Sequence, residues 1–334
     1  MAHLLEVRDL KKHFAGRSGM FGGSKKTVRA VDGVSFTVDQ GETLGLVGES
    51  GCGKSTLVRT LLYLEVPTSG EIHFDGQRLT EKEAMRLRRR AQIVFQDPYM
   101  SLPPRMRIGD IVADPLLVHH LADRRSVRDQ VNQLLEDVGL KPETADQYPH
   151  QLSGGMRQRI GIARALAVQP SLVVADEAVS SLDVSVQSQI LNLFKDLQKR
   201  HDLTYIFVSH DLGVVKYMSH RIAVMYLGEI VELAATEELH ARPLNPYTRA
   251  LLSAIPSIHG DRRQRTRLEG EPPNPGNPPP GCKFHPRCSI AQKLCAQEAP
   301  QLKEWLPGRY VACHFALDSD PAARGRLVTA PSIL

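Results

Sequence analysis

Eight residues, Gly48-Glu49-Ser50-Gly51-Cys52-Gly53-Lys54-Ser55, restrict the fold of this chain more than any other segment. They follow an apolar, strand-like run at 43–47 and open an apolar helical pattern from Lys54 to about Leu64. The pattern G-x-x-x-x-G-K-[ST] in that strand-to-helix setting is a phosphate-cradling loop. Its glycines let the backbone curl until successive N–H groups converge on an anion, and the helix N-terminus adds a partial positive charge. Lys54 is placed to reach the β- and γ-phosphates of a nucleotide, Ser55 to ligate Mg²⁺, and Thr56 to continue the anion-facing first turn.

The surrounding pattern alternates strands and helices, which predicts an α/β domain built on a parallel sheet. Strand-like stretches stand at 4–7, 34–38 and 43–47, with a Gly/Ser-rich loop at 16–27. Residues 71–75 alternate like a strand and reach the Asp75-Gly76 turn signal. The span from about 99 to 169 reads as mostly helical, followed by strands at 172–175, 203–208 and 221–227. A helix is expected at about 185–200, where Ile190, Leu193, Phe194 and Leu197 recur at helical spacing and form a core-facing stripe.

A second half-site comes from Leu172-Val173-Val174-Ala175-Asp176-Glu177. Four apolar residues make a buried strand whose carboxyl end, where ligands sit in open α/β sheets, delivers two carboxylates. Asp176 is expected to hold Mg²⁺ through its water and Glu177 to polarise an attacking water, since phosphoryl transfer needs mostly positioning and charge neutralisation. A third element, Leu152-Ser153-Gly154-Gly155-Met156-Arg157-Gln158-Arg159, opens a helix with a serine hydroxyl and free N–H groups, again suited to an anion.

With this turn the chain resembles the ATP-binding cassette (ABC) proteins, whose signature is a Ser-Gly-Gly turn between a phosphate loop and an Asp-Glu strand end. The resemblance implies an α/β ABC-type ATPase with a RecA-like core, an antiparallel β subdomain and a helical subdomain at about 99–169. It implies ATP and Mg²⁺ as ligands, and a Ser153–Gly155 turn that faces the γ-phosphate bound by another subunit. Gln96 resembles the Q-loop glutamine, which touches Mg²⁺ or water. Asp183, in Ser180-Ser181-Leu182-Asp183, resembles the D-loop, and His210 the switch histidine at the γ-phosphate. Phe14 is the candidate for the aromatic that stacks on adenine. The chain departs from the common pattern at Ala178, Met156 and Pro103, which leaves reaction type untouched and bears on rate and partner docking.

The tail narrows the resemblance. Asn245-Pro246-Tyr247-Thr248, Pro279-Pro280-Gly281-Cys282-Lys283-Phe284 and Pro286-Arg287-Cys288 resemble the carboxyl-terminal region of bacterial dipeptide and oligopeptide importer ATPases, with the second ATPase subunit of dipeptide importers the nearest match. The organisation expected is a cassette at 1–255, an Arg/Pro-rich linker at 256–281 and a cysteine-containing extension at 282–334. The linker carries Arg262, Arg263, Arg265 and Arg267, then six prolines within 272–280, a composition that cannot form helix. Cys282, Cys288, Cys295 and Cys313 are spaced C-x5-C-x6-C-x17-C, without the paired C-x2-C of common zinc sites. The resemblance implies a [4Fe–4S] cluster on these four thiols. Zinc and four uncommitted thiols are the alternatives.

The implied partners are a paralogous second ATPase forming a heterodimer, two transmembrane permease subunits and an extracytoplasmic peptide-binding protein. Importers of nickel, glutathione or oligosaccharide share this architecture. The net charge of +5 is mild and gives no nucleic-acid footprint. A soluble ABC ATPase acting on DNA or ribosomes is disfavoured, because only about 100 residues, without sustained heptads, separate the phosphate loop from the Ser-Gly-Gly turn. The amino terminus has no signal peptide and no apolar run is long enough to span a bilayer, so the expected location is peripheral, on the cytoplasmic face of the bacterial inner membrane.

Overall fold

The computed structural model describes residues 3–15, 27–123, 126–253 and 270–317. The Gly/Ser-rich loop expected at 16–27 lies outside these residues apart from Thr27, as do the arginine run at 262–267 and the chain after 317.

Two sheets organise the chain. The smaller is antiparallel, in the order β2–β1–β4–β5: β1 Leu5–Ala15, β2 Thr27–Val38, β4 Ser69–Phe74 and β5 Gln77–Arg78. It is longer than the apolar patches of the sequence predict, because β1 and β2 run on through Lys11, Lys12 and His13 opposite Asp32, Val31 and Arg29. The larger sheet has the order β11–β12–β10–β9–β3–β8–β7–β6. Its parallel centre is β3 Thr43–Val47, β8 Thr204–Val208, β7 Leu172–Asp176 and β6 Ala91–Val94, with β9 Arg221–Tyr226 on the other side of β3. β3 and β8 are buried along their whole length, as strands covered on both faces must be.

One core cluster lies between this sheet and the helices Ile108–Val118, Val127–Asp137, Gly154–Leu166 and Val184–His201. The stripe expected at 185–200 is correct: Ile190, Leu193, Phe194 and Leu197 are all buried there. A second cluster joins β1, β2 and β4 to the helix Lys54–Leu61.

The carboxyl-terminal segment is part of the large sheet. β10 Glu229–Ala235 pairs with β12 Arg309–Val311, which pairs with β11 Lys303–Leu306. Glu232, fully buried on β10, accepts the backbone N–H groups of Leu244 and Asn245 at 2.8 and 2.9 Å and lies 3.6 Å from Arg309. Tyr226, Tyr247 and Phe284 pack ring against ring with centroids 4.6–5.4 Å apart, tying β9 to the cysteine segment. Among the described residues no helix is long and apolar enough to cross a membrane.

Candidate nucleotide site

The parallel strands deliver their chemistry at one edge, their carboxyl ends. β3 ends at Val47 and turns through the loop into Lys54–Leu61, with Gly53 as the N-cap in a left-handed conformation. Lys54 is nearly buried, and its ammonium donates to the carbonyls of Gly48 at 2.7 Å and Glu49 at 3.0 Å. Cys52 is buried beside it; desolvation pushes its thiol above the ordinary range, so it is a neutral packing group.

β7 ends at Asp176, whose carboxylate accepts from the Ser55 hydroxyl at 3.3 Å. Burial, with the neighbouring Glu177 carboxylate, raises the Asp176 pKa. An accessible hydroxyl beside a carboxylate partly removed from water is an oxygen donor set that a hard cation stabilises, so these residues fit Mg²⁺. Glu177 takes φ +50°, unusual for a non-glycine residue. It is held there by its own N–H to Val208 O (3.0 Å) and by Ser180, whose N–H and hydroxyl both donate to its carbonyl. The bend turns its carboxylate to 3.3 Å from His210 Nδ1, at the end of β8. Such a conformation typically costs about 1–3 kcal/mol, and these three bonds hold Glu177 in it.

β6 pairs with β7 and so brings Gln96 alongside; Ser181 Oγ donates to its carbonyl at 3.3 Å. A cleft of about 500 Å³ joins Phe14, Ser50, Gly51, Cys52, Gly53, Lys54, Ser55, Thr56, Gln96 and Glu177, a size usual for small-molecule sites. Phe14 is partly exposed at its mouth with the Lys12 ammonium 4.9 Å over its ring.

Gly48, Glu49, Asp176, Ser153, Gly154, Gly155, Asp183 and His210 are not among the residues that line this cleft. Ser153 caps the helix Gly154–Leu166 by accepting from Met156 N, and Asp183 caps Val184–His201 by accepting from Val186 N. The two caps adjoin, since a Cβ on Gly155 would stand 2.5 Å from Val186.

Sequence reasoning missed part of the wall. Val28, Arg29 and Pro275 also line the cleft, and residues 271–275 continue along the back of the phosphate loop. The proline run reads in sequence as a tether; the structure lays its start against the site. Its extended character is visible in composition, but the surface it follows is not.

Cys282, Cys288, Cys295 and Cys313 line one cavity with Tyr226 and Phe284. None forms a disulfide. Burial is the largest cause pushing the Cys282 thiol up to about 11 and Cys313 to about 12, with the neighbouring cysteines adding to it. Among the described residues no three His, Cys, Asp or Glu side chains are gathered to hold a single metal ion.

The ABC transporter family model matches residues 31–180, and the model of the oligopeptide/dipeptide transporter C-terminal region matches 231–295. The oligopeptide transport ATP-binding protein AppF of Bacillus subtilis is 50% identical, covering 93% of this chain and 97% of that protein. The dipeptide transport ATP-binding protein DppF of Escherichia coli is 50% identical, covering 95% of each. Among solved structures, the dimer of the ATP-binding cassette MJ0796 in a post-hydrolysis state with ADP and Pi is 28% identical. It superposes with TM-score 0.61 over 70% of this chain and 98% of that one.

Proposed function

The chain belongs to the ATP-binding proteins of oligopeptide and dipeptide ABC transporters, and from that premise we propose that it hydrolyses ATP to drive peptide import as half of a two-ATPase unit. The observation that carries the second part is the division of the site. Ser50–Thr56 of the phosphate loop, Phe14, Gln96 and Glu177 share one cleft, while Ser153–Gly155 are not among its lining residues, which supports a reading in which that turn meets the nucleotide of another subunit. The second subunit is a paralogous chain, and the pair works at the cytoplasmic face of the inner membrane. There it acts on two permease subunits, supplied with peptide by an extracytoplasmic binding protein.

In this reading the loop N–H groups and Lys54 bind the phosphates, Ser55 and Asp176 hold Mg²⁺, and Phe14 stacks on the base. Mg²⁺, when bound, neutralises phosphate charge. Glu177 orients and polarises the attacking water; His210, at 3.3 Å, holds the Glu177 carboxylate and reaches toward the γ-phosphate. Gln96 reports the occupied site to the segment that follows it. Glu177→Gln keeps the shape of the side chain and removes its charge, so it is expected to bind ATP, to lose turnover by roughly 100-fold or more, and to accumulate as an ATP-bound dimer on size exclusion. Unchanged turnover would refute the role. Purification from membranes without any multi-span partner would sink the import reading.

The four thiols are the proposed ligands of a [4Fe–4S] cluster. The observation that supports this reading is that all four cysteines line one cavity, where their thiols would hold the cluster. Bound there, it would supply a structural cross-link or a redox-responsive group. Anaerobically purified protein should be brown with a broad visible band; a colourless protein with stoichiometric zinc rejects the cluster.

A further inference from the structure

We propose that Arg287, in the cysteine-bearing tail, is a positioning residue for the phosphate loop, acting through the carboxylate of Glu49. Arg287 Nη1 donates to Glu49 Oε2 at 2.8 Å and Nη2 to Oε1 at 3.0 Å, a fork on a fork. Its side chain is only 5% exposed, and Nη1 also lies 3.4 Å from the Tyr226 hydroxyl. A bidentate pair fixes the carboxylate in direction as well as distance, which one ammonium could not do.

Glu49 is held at its other end too, for its backbone N–H donates to the Tyr247 hydroxyl at 2.9 Å. Its carbonyl in turn accepts from Lys54 Nζ at 3.0 Å. The chain of contacts therefore runs from the tail, through one loop residue, to the lysine that meets the phosphates. Charge-assisted bonds in a site this poor in solvent are stiff as well as strong.

The alternative role, a clasp that merely docks the tail, has little left to do. Docking is supplied by the β10–β12 pairing, by Asn245 Nδ2 bridging the Val231 and Ala312 carbonyls, and by Lys283, bonded to Asp32, Glu229 and Leu227 O. Loss of Arg287 should leave the tail in place and loosen the loop.

The inference rests on the loop binding ATP. Full-length Arg287→Met, Arg287→Lys, Glu49→Gln and the Arg287→Met/Glu49→Gln double variant are compared by fluorescent ATP-analogue titration, steady-state ATPase and thermal melting. Arg287→Met is expected to weaken nucleotide binding about tenfold and to raise KM more than it lowers kcat, with Arg287→Lys intermediate. In the Glu49→Gln background the Arg287→Met change should add less than about twofold, because its route is already cut. Equal affinities in wild type and Arg287→Met would overturn the proposal. So would an equal effect in both backgrounds, or a loss explained entirely by the unfolded fraction in the melt. Wild-type protein that bound no nucleotide would refute the ATP reading itself, and this proposal with it.

Discussion

Adding one methyl group at Gly53 tests whether the loop geometry is as tightly determined as it looks. Gly53 sits at φ +109°, and a Cβ built there stands 2.0 Å from the Ala30 carbonyl oxygen and 2.9 Å from the Met225 methyl. The methionine end can swing aside. The carbonyl cannot, because Ala30 belongs to β2, locked between β1 and the bond from Asp32 N to Gly228 O. The loop and the first turn of Lys54–Leu61 must give way instead, by more than about 1 Å, a displacement that costs on the order of 100-fold in a positioned reaction. That corresponds to about 2.7 kcal/mol of transition-state stabilisation, over and above the strained backbone. Gly53→Ala should thus lose roughly 100-fold in kcat/KM for ATP in a steady-state assay while remaining folded. Gly76→Ala is the control. It carries a similar φ, +73°, but nothing stands within 4 Å of its Cβ and it lies in a remote turn. It should cost about 1 kcal/mol of stability and leave kcat/KM alone. A folded Gly53→Ala protein with kcat/KM within about threefold of wild type would refute the reasoning.

Two further outcomes follow from the tail and the base site. Glu232→Gln places an amide NH₂ against one of two backbone donors, Leu244 or Asn245, and should cost about 1–3 kcal/mol in urea unfolding. The deficit depends on pH: burial raises the Glu232 pKa above 4.5 in the folded chain, so its contribution is greatest near the acid end and declines as pH rises through the window above 4.5. The wild-type advantage over Glu232→Gln should therefore shrink with rising pH, and an advantage that grows would contradict the assigned burial effect. Phe14→Ala should weaken ATP binding roughly tenfold with little loss of stability, since the ring is partly exposed at the cleft mouth; unchanged affinity in a nucleotide titration would remove Phe14 from the site.

What could be read from sequence follows the range of the forces involved. The β3–loop–helix unit, β7 with its two carboxylates, and Val184–His201 are local patterns, in which a short apolar run or a helical stripe is itself the cause of the element. Strand β6 escaped because Ala91–Val94 is short and follows a run of arginines, and its support, pairing with β7 and packing of Ala91 and Val94 into the core, comes from residues distant in sequence. The charged half of β1 escaped for a related reason: Lys11 pairs with Asp9 on its own strand, but His13 is tolerated there through Asp32, a partner the fold supplies from β2. The tail is the strongest case. Its prolines and cysteines announce an extended segment and a possible metal site, and both signals are compositional. Arg287 is one arginine among many in sequence, and it is tertiary contacts, among them the pairing of β12 with β10 and the Tyr226–Tyr247–Phe284 stack, that set it against Glu49. A residue 238 positions from its partner gains its meaning from topology alone. The phosphate loop, the most readable segment of the chain, is thus held from behind by one of the least readable, so the tail belongs to the machinery that binds ATP.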